Sequence, residues 1–260
     1  MTTLPVGPIT FGTNADYDNN FKEGANGSLQ RITDSVRVSS IDASAVGFGS
    51  ALYDTSVTPG TGGAGGTGGS NNNNDLSNFT VTSLIQFQNR GQNSTAGYFL
   101  RMNDAATSGY LATATFYNSM GTLAVRFDLF ENVNIDFNPA FSNSATAPSG
   151  AIASQSLNFT TAAAANFNFS VTAVGADFTF RLANATNTSS VSTTLTDTVS
   201  PTLTAGQVGM FLRAQGQAGG STSRMDDFLI TEPIPEPSSA LLLGSAAALL
   251  LIRRRKASLG

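Results

Sequence analysis

The stretch NFNFSVTAVGADFTFRLAN, residues 166–184, decides the fold class. Phe167, Phe169 and Val171 alternate with polar residues, and Phe178, Phe180 and Leu182 do the same after Gly175-Ala176-Asp177. A period of two places each trio on one face of a strand, and the Gly-containing break predicts a hairpin. The pattern repeats on both sides. Upstream, Phe79–Phe87 carries Phe79, Val81, Ile85 and Phe87 around a Ser/Thr mix, and β-rich runs follow at Tyr98–Met102 and Tyr110–Tyr117. Leu123–Phe130 sets Leu123, Val125, Phe127 and Leu129 on one face. Residues 28–39 predict a strand pair, 45–53 a short strand, and Phe11, Tyr17 and Phe21 are apolar anchors among turn formers. Downstream, Val191–Thr196 reads as a Thr/Ser-rich edge strand, and Val208–Arg213 and Met225–Ile230 close the series. Residues 131–158 are turn-rich and predict a long loop. No helix is expected before the C-terminal segment. The reading is one all-β sandwich over residues 1–231.

Two further segments give that sandwich a type. LTAGQVGMFL (203–212) and RMDDFLI (224–230), taken with the 166–184 hairpin, resemble the concanavalin A-like jelly-roll of lectins and glucanases. In that family a Gly-x-Val-Gly strand precedes a closing Asp-Asp-Phe strand. The resemblance spans most of residues 9–231 and implies a fold suited to glycans.

Composition narrows the chemistry. The chain has no cysteine and no histidine, so thiolate chemistry, disulfides, imidazole bases and His-bound zinc are excluded. Residues 1–234 hold 16 acidic and 9 basic residues, a balance of −7, which argues against nucleic acid as a partner. Hydrolases on such sandwiches use paired carboxylates facing one cleft. The nearest pair, Asp128 and Glu131, is three apart, which on a strand points the acids to opposite faces. The chain is therefore not expected to be an enzyme, a glycan hydrolase or lyase being the lesser alternative. Tryptophan is absent, the 18 phenylalanines fall mostly at core-type positions, and Tyr98, Tyr110 and Tyr117 remain as candidate sugar platforms against half-buried sheet positions. Asp16 and Asp18 near the first strand and Asp227 in the last are candidate calcium ligands, against turn caps and solvated acids. Asn-x-Ser/Thr triplets such as Asn168-Phe-Ser170 arise by chance in a chain so rich in these residues. The Gly/Asn-rich run at 58–74 predicts a flexible loop; with no lysine after its glycines it is not a phosphate loop.

The C-terminal end carries an address. After an extended linker over 232–237 containing Pro235-Glu236-Pro237, residues 238–252 are uncharged, and Arg253, Arg254, Arg255 and Lys256 follow. As a helix the uncharged run is ~22 Å long at ~1.5 Å per residue, against a hydrocarbon core ~30 Å thick. A core helix of this length would normally show a polar face, and a lipid-anchor signal at Ser238-Ser239-Ala240 would need a polar spacer. A single transmembrane helix with a basic cytoplasmic tail at 253–260 is expected. Pro-Glu-Pro, the apolar helix and the arginine cluster in this order resemble the PEP-CTERM sorting signal of outer-membrane bacteria that make extracellular polysaccharide. The resemblance implies exosortase as a processing partner, transient residence in the inner membrane, and a final place at the cell surface or in the extracellular matrix. Met1–Gly7 holds neither a basic nor an apolar signal segment, so an export signal upstream of Met1 is expected. The function expected is an exported protein with a glycan-binding sandwich, extracellular polysaccharide being the candidate ligand; the alternative is a structural exoprotein without one.

Overall fold

The computed structural model describes residues 7–25, 29–38, 46–63, 65–66, 76–87, 94–119, 122–142, 144–159, 166–199, 203–217, 220–221 and 223–232. In chain order these form α1 (Asn14–Asp18), β1 (Phe21–Glu23), β2 (Leu29–Ile32), β3 (Ser35–Val38), β4 (Val46–Tyr53), β5 (Phe79–Phe87), β6 (Thr95–Met102), β7 (Tyr110–Ser119) and β8 (Thr122–Phe130). Then come β9 (Ala153–Asn158), β10 (Asn166–Val174), β11 (Asp177–Asn184), β12 (Ser190–Thr196), β13 (Gln207–Gln217), β14 (Gly220–Ser221) and β15 (Ser223–Thr231). One antiparallel sheet runs β1-β4-β13-β6-β7-β8-β9, with β14 on β13; the other runs β12-β11-β10-β5-β15-β3-β2. The two sheets make a sandwich. Among the described residues no helix is long and apolar enough to cross a membrane. The Pro-Glu-Pro motif, the expected transmembrane segment 238–252 and the basic tail lie outside the described residues.

Alternation builds the core as the sequence predicts. Phe167, Phe169, Val171, Phe178, Phe180 and Leu182 point inward from β10 and β11, joined in register from Phe167↔Asn184 to Val174↔Asp177. They meet rings from the other sheet: Tyr98 stacks on Phe169 (5.0 Å, 10°), Phe116 meets Phe167 at 4.8 Å and Phe127 meets Phe180 at 5.3 Å. Burying each such side chain stabilises by about 1.5–3 kcal/mol.

Four features depart from the sequence expectation. First, residues 153–158 are a strand inside the stretch read as loop. The sequence ASQSLN lacks the branched and aromatic residues of a strand, and an edge position beside β8, with register Val125↔Leu157, supplies the pairing. Second, a one-turn helix, α1, appears; Thr13 caps it and Asp16 returns the bond, accepting from the Thr13 N–H at 2.6 Å.

Third, the described part of the glycine-rich run, 58–63 and 65–66, is docked rather than free. The buried Asp18 carboxylate accepts from the N–H of Gly63 (3.1 Å) and Gly65 (3.2 Å), and Gly66 N–H donates to the Phe21 carbonyl at 2.7 Å. Gly62, Gly63 and Gly65 have φ of 73–79°, the left-handed region glycine enters without steric cost. A Cβ on Gly66 would lie 2.5 Å from Val57. The glycines let the backbone wrap a carboxylate.

Fourth, the first sheet is covered on both faces. On its outer side Leu52, Phe99, Leu111, Phe130 and Phe211 pack against Val133, Ile135 and Phe141 from the 131–152 loop. Beneath that loop Arg126 and Asp128, both fully buried, form an ion pair at 2.9 Å. Arg126 Nη1 also donates to the carbonyls of Ser142 (3.0 Å), Ser144 and Thr146 (2.7 Å). The arginine is the post around which the covering loop winds.

Candidate ligand groove

With the outer face of the first sheet covered by the 131–152 loop, the outer face of the second sheet is the one that the described residues leave uncovered. Alternation decides what it displays. With Phe79, Val81 and Ile85 turned inward, β5 presents Thr80, Thr82, Leu84 and Gln86 outward; β10 presents Asn168, Ser170 and Thr172, and β11 presents Thr179 and Arg181. One row across the strands is all threonine: Thr231, Thr80, Thr172, Thr179 and Thr194 are successive register partners. Within it Thr80 and Thr172 hydroxyls are 2.8 Å apart, and Thr179 and Thr194 are 2.9 Å apart.

The closing strand breaks step. Asp226 pairs with Leu84 but Leu229 pairs with Thr82, so β15 carries one extra residue there. Asp227 sits in the bulge at φ 53°. The bulge returns Phe228 to the core and turns Asp227 to the outer face. Beside it lies a groove of about 310 Å³. Its polar side chains are Thr82, Asn168, Arg181, Asn187 and Asp227, and its apolar walls are Pro8, Leu84 and Leu229. Asn187, at φ 55° in the β11–β12 turn, uses the tolerance of asparagine for left-handed backbone. Its side-chain oxygen accepts from Asn168 Nδ2 at 3.3 Å, which fixes the Asn168 amide at the groove floor. Among the described residues, Arg181 and Asp227 side chains have no hydrogen-bond or ion-pair partner. The groove thus offers amide, guanidinium, carboxylate and hydroxyl groups, the donor and acceptor set that sugar hydroxyls use. A second cavity of about 430 Å³ lies between the β6–β7 turn and residues 203–206. Its Asn103 oxygen is already taken by the N–H groups of Thr107 and Ser108, and it offers less free polar chemistry.

The acids proposed as calcium ligands are not brought together. Asp16 caps α1, Asp18 binds glycine N–H groups and Asp227 lines the groove. Among the described residues no group of three or more acidic side chains is placed to hold a metal, so these residues do not fit calcium. The tyrosine platforms are corrected too. Tyr98 and Tyr110 are fully buried and Tyr117 nearly so. Tyr98 donates to the Phe169 carbonyl at 3.0 Å and Tyr110 to Asp197 at 2.8 Å. Burial holds both phenols well above their ordinary pKa. Asp128 and Glu131 diverge as their spacing predicts. Asp128 lies on the covered outer face with Arg126 and Ser154; Glu131 lies 3.4 Å from the Tyr110 hydroxyl on the other side. Thr82, Arg181 and Asn187 were not singled out in the sequence, and Asn168 stood out only as part of a chance triplet. Strand phase marks Thr82, Asn168 and Arg181 as outward-facing, but only the bulge and the β11–β12 turn gather them.

No family model matches the chain, and no curated protein matches it. Solved structures do. The exoplasmic/lumenal domain of VIP36, in its Ca²⁺- and Man3GlcNAc-bound form, is 11% identical over 83% of this chain and 85% of its own, with a TM-score of 0.50. The carbohydrate-binding module CBM66 from Bacillus subtilis is 16% identical, covering 82% and 96%, with a TM-score of 0.45. Lectin II from Ulex europaeus is 10% identical, covering 82% and 92%, with a TM-score of 0.46. At these identities the likeness is one of fold alone: the body is an all-β, two-sheet sandwich similar in fold to the VIP36 domain.

Proposed function

We propose that this chain is an exported, non-catalytic glycan-binding protein of the bacterial surface or matrix. The groove beside the β15 bulge carries the reading: Arg181 and Asp227, without side-chain partners among the described residues, and an oriented Asn168 line a concavity on a two-sheet sandwich. The likeness to VIP36, a protein solved with Man3GlcNAc bound, supports the ligand class. Left-handed Asp227 fits a functional position, because backbone strain persists where the surrounding structure holds it for use. The C-terminal tail belongs to the same proposal. Its Pro-Glu-Pro, apolar run and arginines would deliver the protein through the inner membrane and be removed by exosortase.

Glycan-array binding followed by titration calorimetry tests the groove. Asn168→Ala and Asp227→Ala should each weaken the glycan found about tenfold, since one charged or oriented hydrogen bond is worth about 1.5 kcal/mol. A glycan bound with equal affinity by both variants would place the site elsewhere. For the tail, Pro235→Ala with Pro237→Ala should leave the full-length mass in the mature protein; normal maturation of that variant would remove the sorting role.

A structural exoprotein without ligand is the second reading. One observation favours it: among the described residues the exposed large hydrophobics are Ile152, Val174 and Val199, so no aromatic ring is offered for sugar stacking. An array without a hit, on protein with intact stability, would select it.

A further inference from the structure

We propose that the outer face of the second sheet takes an acidic polysaccharide, its carboxylate or sulfate groups held by Arg37 and Arg224, with Arg181 beside them in the groove. The inference rests on the glycan reading and specifies its substrate class. Arg224 on β15 is the direct register partner of Arg37 on β3. Their neighbours Val36, Val38 and Met225 point into the core, so both guanidinium groups lie on the outer face. Like charges directly opposite one another are unfavourable in a sheet. Among the described residues no ion pair relieves the two. The only ion pair among the described residues is Arg126–Asp128, so no described carboxylate sits within pairing distance of Arg37, Arg181 or Arg224. The Nε atoms of Arg37 and Arg224 are shielded from solvent and have no hydrogen-bond partner among the described residues. Buried donors are ordinarily satisfied. A two-guanidinium fork with unused donors matches a planar carboxylate or a sulfate.

Other basic residues of the body are spent differently. Arg31 donates to the Phe11 and Gly12 carbonyls, Arg101 to those of Ser77 and Gly175, and Arg126 to Asp128 and the covering loop, while Arg213, whose Nε and Nη1 have no hydrogen-bond partner among the described residues, lies over the Phe141 ring on the covered sheet. The guanidinium groups of Arg37, Arg181 and Arg224 share one face of an acidic protein. Gln86, the partner of Arg224 on β5, stands two residues from Leu84 of the groove wall. That separation is about 7 Å along a strand, so one chain of linked sugars can span groove and arginine pair. Four described acids lie on or beside this face: Asp177, which accepts from the Thr196 hydroxyl, and Asp34, Asp226 and Asp227; burial raises the Asp226 carboxyl to about 7, which reduces its opposition to an anion.

The test is calorimetric titration with polygalacturonate, alginate and heparin, with carboxyl-reduced polygalacturonate and single-stranded DNA as controls. The expected result is binding of at least one acidic polysaccharide, weakened at least tenfold by Arg37→Gln with Arg224→Gln and by 0.5 M NaCl, with little binding to the reduced polymer or to DNA. Arg181→Gln alone, at an exposed position, gives a second variant that leaves the strand pair intact, and melting curves check all variants. Equal binding of the acidic and reduced polymers would overturn this proposal and leave the glycan reading standing. Acidic binding unaffected by the arginine variants, or matched by DNA, would also overturn it. Binding to no glycan, charged or neutral, would end both.

Discussion

Replacing Arg126 with methionine removes the post of the 131–152 loop. The substitution keeps a long apolar stem and deletes a guanidinium that is fully buried, paired to Asp128 at 2.9 Å and bonded to the Ser142, Ser144 and Thr146 carbonyls. Asp128 keeps only the Ser154 hydroxyl at 2.6 Å. Breaking a buried ion pair from one side costs about 3–5 kcal/mol, because the remaining charge is uncompensated. The three carbonyls add less, since a loosened loop can hydrate them. Of a total stability that is about 5–15 kcal/mol for a domain, this is a large share. The pH dependence carries a sign. Burial already raises the Asp128 carboxyl above its ordinary value, against the pull of Ser154 and Arg126. Without Arg126 it rises further. A raised acid is protonated more readily when folded than when unfolded, so the variant's deficit should be smallest in acid and grow as pH climbs above the unfolded value of about 4. Adding Asp128→Leu removes the stranded charge and should recover at least half of the loss, as apolar replacements of buried pairs do. Urea unfolding at pH 5 and 7.5 for wild type, both single variants and the double variant closes the cycle. A loss below ~1 kcal/mol for Arg126→Met, or a double variant no better than the single, would refute the view that the pair anchors the loop.

Four further outcomes are expected. Glu23 and Asp226 are both raised to about 7, burial being the main cause in each; their stabilising effect is present below about pH 4 and lost as pH rises through 7. Melting temperature should therefore fall between pH 5 and 8, and Glu23→Gln with Asp226→Asn should flatten the fall. Gly65→Ala places a Cβ at φ 73° and 2.9 Å from Glu23 Cγ, and should cost at least ~1–2 kcal/mol in urea unfolding; an unchanged midpoint would mean that the glycine segment does not dock on Asp18. Asp227→Gly should weaken glycan binding about tenfold while leaving stability equal or up to ~1 kcal/mol higher, because glycine relieves the left-handed strain. EDTA should not move the melting temperature; a drop of several degrees reversed by calcium would show that acids do converge on a metal.

Glycine at 60–66 and the pair Arg126/Asp128 show where sequence reasoning stops. A run of glycines reads as slack because glycine has no side-chain contacts to suggest docking; its partner, the Asp18 carboxylate, lies 45 residues away in the chain from Gly63. Arg126 and Asp128 fall at outward positions of β8, where alternation places solvated side chains. A loop later in the chain buries them, and no local pattern announces that a second layer will cover a sheet. The same limit applied to Tyr98, whose sequence position fits a platform and a core residue equally; the opposite sheet's Phe169 decides for the core.

By itself the sequence determined the alternating strands, their inward faces and the sandwich, though not the edge strand β9, because a period of two is a local property and the sheet has to bury one side. It also excluded thiol and imidazole chemistry outright and separated Asp128 from Glu131. Only the tertiary structure decided which face the described residues leave uncovered. That choice depended on the 131–152 loop covering one sheet and on a single extra residue in β15, which moves Asp227 out of the alternation and into the groove with Asn168 and Arg181. Covering and bulging are set by contacts between segments far apart in the chain, and the energy that selects them exists only once both partners are in place.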